Sequence, residues 1–152
     1  MGKGDDPNLT AAACEGTATM SPLADSEHLP VEERIQLLLD ACLARHRSRY
    51  GPPIGRGRHR VVFADGDDWV IKVPCTEDGM LDNVREARHD DPGIPLASCE
   101  LLDDHPDGVP LLRMRRIREV VLPHSQQPEW VGFVDCGQVG YLPDGTLVAF
   151  DL

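Results

Sequence analysis

The chain has 152 residues with 41% hydrophobic and 27% charged residues, and its formal net charge is −11. This length fits one domain plus a tail, and the acidity argues against general affinity for nucleic acids or anionic membranes. No apolar run approaches the roughly 18 residues that span a bilayer, and the N-terminus lacks the pattern of a signal peptide. The five cysteines are scattered without C-x-x-C spacing, which predicts reduced thiols in a cytoplasmic protein.

The N-terminal part divides into a tail and a helix. Residues 1–29 are rich in Gly, Ala, Ser, Thr, Pro and acidic residues, which predicts a disordered tail before a domain over 30–152. After it, apolar residues recur on one helical face between Pro30 and Gly51, so a helix with a defined end is predicted there. The residues of this face are Ile35, Leu38, Leu39, Cys42 and Leu43.

The stretch RVVFADGDDWVIKVP predicts a β-hairpin, because two runs rich in β-branched and aromatic residues flank an Asp-Gly turn. Lys72 stands in the middle of the second run. The chain has 13 Arg and only 2 Lys, so a lysine at this position is unusual. A compact ammonium on a flexible stem differs physically from a planar guanidinium. Two interpretations of Lys72 are open. It is either a lysine at a strand edge whose stem lies on apolar surface, or a functional cation.

The remaining elements alternate between helix and strand. Met80, Val84 and Ala87 at i, i+4 and i+7 predict a short helix. Two antiparallel strands are expected near 96–102 and 110–117, followed by an irregular segment and a terminal strand in TLVAFDL. This order predicts an α+β fold with an antiparallel sheet.

A glycine-rich turn opens the predicted hairpin. Gly55, Gly57 and Val62 match the pattern G-x-G-x-x-G-x-V, and Arg60 stands at its third glycine. With the lysine strand that follows, this order resembles the small lobe of the protein-kinase superfamily over roughly residues 53–152. The resemblance implies an antiparallel five-stranded small-lobe-like sheet, an αC-like helix, an additional N-terminal helix and a short C-terminal remnant of the large lobe.

The resemblance also implies roles for four further residues. The stretch WVIK is similar to the V-A-I-K strand of kinases, so Lys72 falls at the lysine that binds ATP phosphates, and Glu86 at the helix glutamate that pairs with it. Gln138 and Asp151 have the separation of the catalytic-loop asparagine and the D-F-G aspartate, both of which hold magnesium in kinases. ATP and Mg²⁺ are therefore the expected cofactors.

Several kinase features are missing from the sequence. There is no H-R-D triplet, and Phe133 stands five residues before Gln138, where the catalytic aspartate is expected. Asp135 is nearby and is the candidate base of a rebuilt loop. The predicted strand near 110–117 resembles the kinase strand that leads into the hinge between the lobes. Only about 20 residues separate it from this loop, too few for the helices of the large lobe. The interpretation is a degenerate, pseudokinase-like protein with weak or no phosphoryl transfer; the alternative is an active minimal kinase for a protein or small molecule.

A third hypothesis is a module that binds anions or nucleic acid without catalysis. It depends on two arginine clusters in an otherwise acidic chain. These are Arg45, Arg47, Arg49, Arg56, Arg58 and Arg60, and then Arg113, Arg115, Arg116 and Arg118. The expected partners are a nucleotide and, for a degenerate kinase, a protein; nucleic acid is the less favoured partner and no membrane partner is expected. The compact, arginine-rich chain would suit an accessory gene of a phage.

Overall fold

A computed structural model describes residues 28–102 and 107–150, apart from the side chain of Asp135. Helices α1 (Val31–Tyr50) and α2 (Glu77–Arg88) combine in this part with eight strands into an α+β fold. The strands are β1 (Gly55–Arg56), β2 (Arg60–Asp65), β3 (Trp69–Pro74), β4 (Cys99–Leu102), β5 (Leu111–Arg115), β6 (Arg118–Val120), β7 (Val139–Tyr141) and β8 (Leu147–Ala149). Short 3-10 helices lie at His124–Gln126, Glu129–Phe133 and Asp135–Gly137.

Two expectations concern residues at the edges of this description. The predicted disordered tail, residues 1–29, lies outside the described residues except for its last two positions. Within the described ranges, no helix is both long enough and apolar enough to cross a membrane.

Five strands form an antiparallel sheet in the order β1-β2-β3-β5-β4, which confirms the predicted five-stranded antiparallel sheet. The predicted hairpin joins β2 to β3, with Asp65 opposite Trp69 across the turn and Gly66 at φ 71° within it. A positive φ of this size favours glycine, because glycine has no Cβ that would clash with the backbone. Strand β3 is central, so Lys72 lies in the middle of the sheet, and the edge position considered for it is wrong.

Helix α1 covers one face of this sheet. Its buried residues Leu39 and Cys42 pack against Phe63 and Ile71 of the sheet, and the rest of the predicted apolar face is partly buried around them. The helix ends at Tyr50 and is followed by Gly51 at φ 80°, whose amide donates to the carbonyl of Arg47. The predicted helix and its end are confirmed.

A second, three-stranded antiparallel sheet in the order β6-β7-β8 was not predicted. Strand β8 lies within the terminal strand predicted in TLVAFDL, and that strand is confirmed. Strands β6 and β7 have only three residues each, which is too short to show the alternation that identifies a strand, so the segment that contains β7 was predicted to be irregular. The two sheets are joined beside β4, where the amide of Ala97 donates to the carbonyl of Ala149 at 3.0 Å and the amide of Ala149 donates to the carbonyl of Pro95 at 2.8 Å.

Helix α2 begins against the turn between β1 and β2. A Cβ at Gly79 would lie 2.2 Å from the carbonyl oxygen of His59, so only glycine allows this approach. The same carbonyl accepts the amide of Cys75 at 2.8 Å, and the imidazole of His59 is 2.9 Å from the hydroxyl of Thr76, which caps the helix. The turn and the first residues of α2 are therefore one packed unit.

The buried face of α2 differs from the predicted one. Gly79, Asn83 and Glu86 are buried, whereas the predicted apolar stripe of the helix is only partly buried. The helix presents small and polar groups to the sheet, because the groups it meets there are a backbone carbonyl and charged side chains. The prediction of a helix is confirmed, but the face assigned to it is wrong.

The close approach at Gly79 predicts that Gly79→Ala destabilises the protein. An added methyl group must displace the backbone of His59, and overpacking of this kind costs about 1–3 kcal/mol. The higher helix propensity of alanine offsets roughly 0.5–1 kcal/mol of this cost. The free energy of unfolding in urea should therefore still be lower than that of wild type. Gly132→Ala is the control, because a Cβ there meets nothing within 4 Å. Equal stability of the two variants would contradict the packing described.

Candidate functional site

A cleft of about 750 Å³ lies beneath the turn that joins β1 to β2. The alternation of side chains in paired strands brings its residues together: Gly55 is opposite Val62 in β2, and Val62 is opposite Lys72 in β3. Five residues predicted for the site line this one cleft, namely Gly55, Gly57, Arg60, Val62 and Lys72.

The lysine of the cleft is held by an ion pair. Lys72 is only 4% exposed, and its Nζ donates to Oε1 of Glu86 at 2.7 Å. Glu86 projects from α2, which places the carboxylate beside β3 as the sequence predicted. Burial lowers the pKa of Lys72 below its ordinary value, although the neighbouring carboxylate of Glu86 acts in the opposite direction.

Arg60 shares the same carboxylate. Its guanidinium pairs with Oε2 of Glu86, so the two oxygens of Glu86 bind two different cations, one from β2 and one from β3. The guanidinium also lies 3.4 Å from Oδ1 of Asn83. The residue that replaces the third glycine of the kinase pattern therefore ties the glycine turn to α2.

Asn83 completes this network and was missed by the sequence analysis. It is fully buried, and its Nδ2 donates to the carbonyls of Lys72 at 3.1 Å and Pro110 at 2.8 Å. It thus joins α2 to β3 and to the segment that precedes β5. Its position three residues before Glu86 places it on the same helix face, which is the one signal in the sequence that could have indicated it.

The fold itself does not require glycine at Gly55 or Gly57. Neither has a positive φ, and a Cβ at either position would meet its nearest neighbour at 3.7 Å, an ordinary contact. The turn is closed by the amide of Gly57, which donates to the carbonyl of Arg60 at 2.9 Å. Both glycines line the cleft.

The cleft has an apolar part and a cationic part. Val70 lies two residues before Lys72 on β3, a separation of about 6–7 Å along a strand, and Met114 is opposite it on β5. With Ile117 and Phe150 these residues form the apolar wall. The charged lining comprises five cations and two carboxylates, in a chain of net charge −11: Arg56, Arg58, Arg60, Lys72 and Arg116, with Asp82 and Glu119.

The other arginines of the two clusters do not face this cleft. Arg113 and Arg115 lie on the opposite face of the sheet, where their guanidinium carbons are 4.3 and 5.0 Å from the ring centre of Trp69. Arg45 pairs with Asp107 near the end of α1. The clusters seen in the sequence are therefore divided among separate surfaces.

The C-terminal candidates are described only in part. The carbonyl of Gln138 accepts the amide of Phe150 at 3.1 Å, and its side-chain Oε1 is buried with no hydrogen-bond partner among the described residues. Asp151 lies outside the described residues, as does the side chain of Asp135, whose backbone begins a short 3-10 helix. Cys136 follows at φ 53°, a backbone conformation that non-glycine residues rarely adopt.

Over 28–102 and 107–150, the structure contains no group of three or more His, Cys, Asp and Glu side chains able to hold a metal ion. The buried side-chain oxygen of Gln138, which has no hydrogen-bond partner within the described part of the chain, is one hard ligand of the kind that Mg²⁺ accepts.

Comparisons with models of protein families, with curated proteins and with solved structures gave no match. The described residues define an α+β domain of two antiparallel sheets with a cleft lined by residues of both.

The lowered pKa of Lys72 predicts a pH-dependent contribution to stability. Between this pKa and the ordinary value of about 10.4, Lys72 binds fewer protons in the folded chain than in the unfolded chain. Its contribution to the free energy of unfolding should therefore rise with pH across this window and stay constant below it. Urea unfolding of wild type and Lys72→Met measures this as a difference that grows in favour of wild type as the pH rises toward the ordinary lysine value of about 10.4. A difference independent of pH would contradict the direction of the shift.

Proposed function

We propose that the chain is a kinase-like protein that binds ATP or a related nucleotide in the cleft and transfers phosphate weakly or not at all. The observation that carries the proposal is the buried pair of Lys72 and Glu86 directly beneath the Gly55–Arg60 hairpin. The volume of the cleft lies within the range of about 300–1,000 Å³ that small-molecule sites occupy. The order of these residues along the chain is the order that the kinase resemblance implies.

The phosphates would lie at the cationic end. Lys72 neutralises phosphate charge as a compact cation, and Glu86 fixes the position of its ammonium. Gly55 and Gly57 leave room for the phosphates to approach the backbone of the turn. Arg60 adds a guanidinium, a group whose planar donors suit phosphate oxygens.

The nucleobase would occupy the apolar end. Val62 and Val70 cover one side of this region from the sheet, and Phe150 closes it from the C-terminal segment. A flat aromatic ligand gains from contact with such apolar walls while its phosphates remain near Lys72. The short distance along β3 between Val70 and Lys72 fits a ligand with an apolar and an anionic end.

Mg²⁺ would be held by Gln138 and Asp151 in this proposal. Of these, Gln138 has the buried oxygen without a partner among the described residues. The ion would neutralise part of the phosphate charge.

Weak or absent transfer is proposed because the position of the catalytic base is altered. In the sequence, Phe133 stands five residues before Gln138, where the base is expected, and a phenyl group cannot accept a proton. Asp135 is the one nearby carboxylate in the 133–138 loop that could replace it. An active minimal kinase would depend on Asp135.

The anion-binding or nucleic-acid module is less favoured by the geometry. Arg113 and Arg115 lie on the face opposite the cleft and are engaged with Trp69, while Arg113 also donates to Asp65 at 2.9 Å. A nucleic acid needs a continuous basic surface to track its phosphates, whereas the arginines of the two clusters are divided between the cleft and other surfaces.

The first prediction from this proposal is that ATP raises the melting temperature of the full chain and that Lys72→Met moves this shift to higher ATP concentrations. Loss of a hydrogen bond to a charged group costs about 1.5–3 kcal/mol, which is about a 10- to 100-fold loss of affinity. A thermal-shift titration with ATP, with and without Mg²⁺, gives the apparent Kd of each variant.

Arg115→Met is the matched control, because it removes a cation from the opposite face of the sheet. The proposal predicts unchanged ATP affinity for this variant. Equal weakening by both substitutions, together with salt-sensitive binding of DNA or RNA, would instead support the nucleic-acid module.

The second prediction concerns transfer. Incubation with γ-labelled ATP should show little or no incorporation of label or release of phosphate by the wild-type chain, because no base stands at the kinase position. If transfer is measured, Asp135→Asn decides its origin. Loss of transfer in that variant establishes the minimal kinase with Asp135 as base, whereas unchanged transfer removes Asp135 from that role.

A further inference from the structure

Another cavity, of about 440 Å³, shares no lining residue with the cleft beneath the glycine turn. Two of its lining residues are aromatic and two are acidic. The described lining consists of Asp91, Gly93, Ile94, Glu129, Trp130 and Phe133, with no basic residue among them.

The two aromatic residues lie on the 3-10 helix Glu129–Phe133. Trp130 and Phe133 are three residues apart, and a 3-10 helix has three residues per turn, so both rings lie on the same side of it. Trp130 is partly buried against the core formed with Val131 and Leu122, which anchors this helix. Phe133 is 77% exposed, so a large apolar surface faces solvent at a fixed position.

The two acidic residues come from separate segments of the chain. Asp91 lies in the loop after α2, where its Oδ1 accepts the amide of Gly93 at 2.9 Å and its carbonyl accepts the amide of Ile94 at 3.1 Å. These bonds fix the position of the Asp91 carboxylate, which lines the cavity. Glu129 supplies the second carboxylate from the first residue of the aromatic helix.

We propose that this cavity docks a partner protein segment through an arginine or lysine side chain. A cation over an aromatic face is attracted by the ring, and nearby carboxylates strengthen that attraction. The apolar stem of the same side chain can lie on Ile94 and Phe133, as such stems commonly do on apolar surfaces. An acidic or purely apolar segment fits less well, since it would bury Asp91 and Glu129 without a counter-charge.

The test uses an acetylated and amidated peptide, Gly-Leu-Arg-Leu-Gly, and the same peptide with citrulline in place of arginine. Citrulline keeps the shape of arginine and removes its charge. Both peptides are titrated into the ¹⁵N-labelled full chain at constant ionic strength, and the indole N–H signal of Trp130 is followed, with that of Trp69 as internal control. The arginine peptide should shift the Trp130 signal with about tenfold higher affinity than the citrulline peptide, the effect of roughly 1.4 kcal/mol.

Two variants test the residues of the cavity. Phe133→Ala and Glu129→Gln should each weaken the arginine peptide about tenfold, while their melting temperatures stay close to wild type because both side chains are exposed. The matched controls are Val121→Ala, an apolar residue that is 97% exposed outside the cavity, and Glu33→Gln, an exposed carboxylate of α1. Neither control should change the affinity.

Three outcomes would overturn the proposal. The first is no response of Trp130 to the arginine peptide. The second is equal binding of the citrulline peptide, which would indicate an apolar partner. The third is a wild-type chain that sediments as a dimer and becomes monomeric in Phe133→Ala, which would show that a second copy of the chain covers this cavity.

Discussion

The carboxylate of Glu86 is the group on which the cleft depends. It lies on α2 and binds Lys72 of β3 through one oxygen and Arg60 of β2 through the other. Charged groups with so little exposure are stable only when they are paired, and removing one partner of such a pair costs more than the pair contributes. The position of α2 therefore determines where the ammonium of Lys72 lies and how the glycine turn next to Arg60 is held.

The features that could be predicted from the sequence have local causes. The Asp-Gly turn between β2 and β3 and the apolar face of α1 follow from turn chemistry and helical periodicity, which need no knowledge of distant contacts. In both of these cases a short stretch of sequence contains the whole signal. The pairing of Lys72 with Glu86 was instead expected from the kinase resemblance, and the structure contains this ion pair.

The features that could not be predicted depend on contacts between distant segments. Gly79 is required because the backbone of His59 approaches it, and nothing near Gly79 in the sequence indicates that contact. In the sequence, Asn83 looks like an ordinary helix residue. Its side chain nevertheless donates hydrogen bonds to backbone carbonyls of β3 and of the segment before β5. The second sheet was missed for a related reason, since β6 and β7 are recognisable as strands only from their pairing with each other and with β8.

The second sheet also completes the cleft. The backbone amide and carbonyl of Ala149, at the end of β8, both form hydrogen bonds with the segment before β4. Phe150 follows Ala149 and forms part of the apolar wall. The amide of Phe150 is bonded in turn to the carbonyl of Gln138, just before β7. Part of the apolar wall near Val62 and Val70 is thus supplied by Phe150, which lies 80 positions beyond Val70 in the chain. Because both sheets contribute walls, the cleft can form only when β6, β7 and β8 are docked against the first sheet, and the hairpin with Lys72 alone would leave its apolar end open to water.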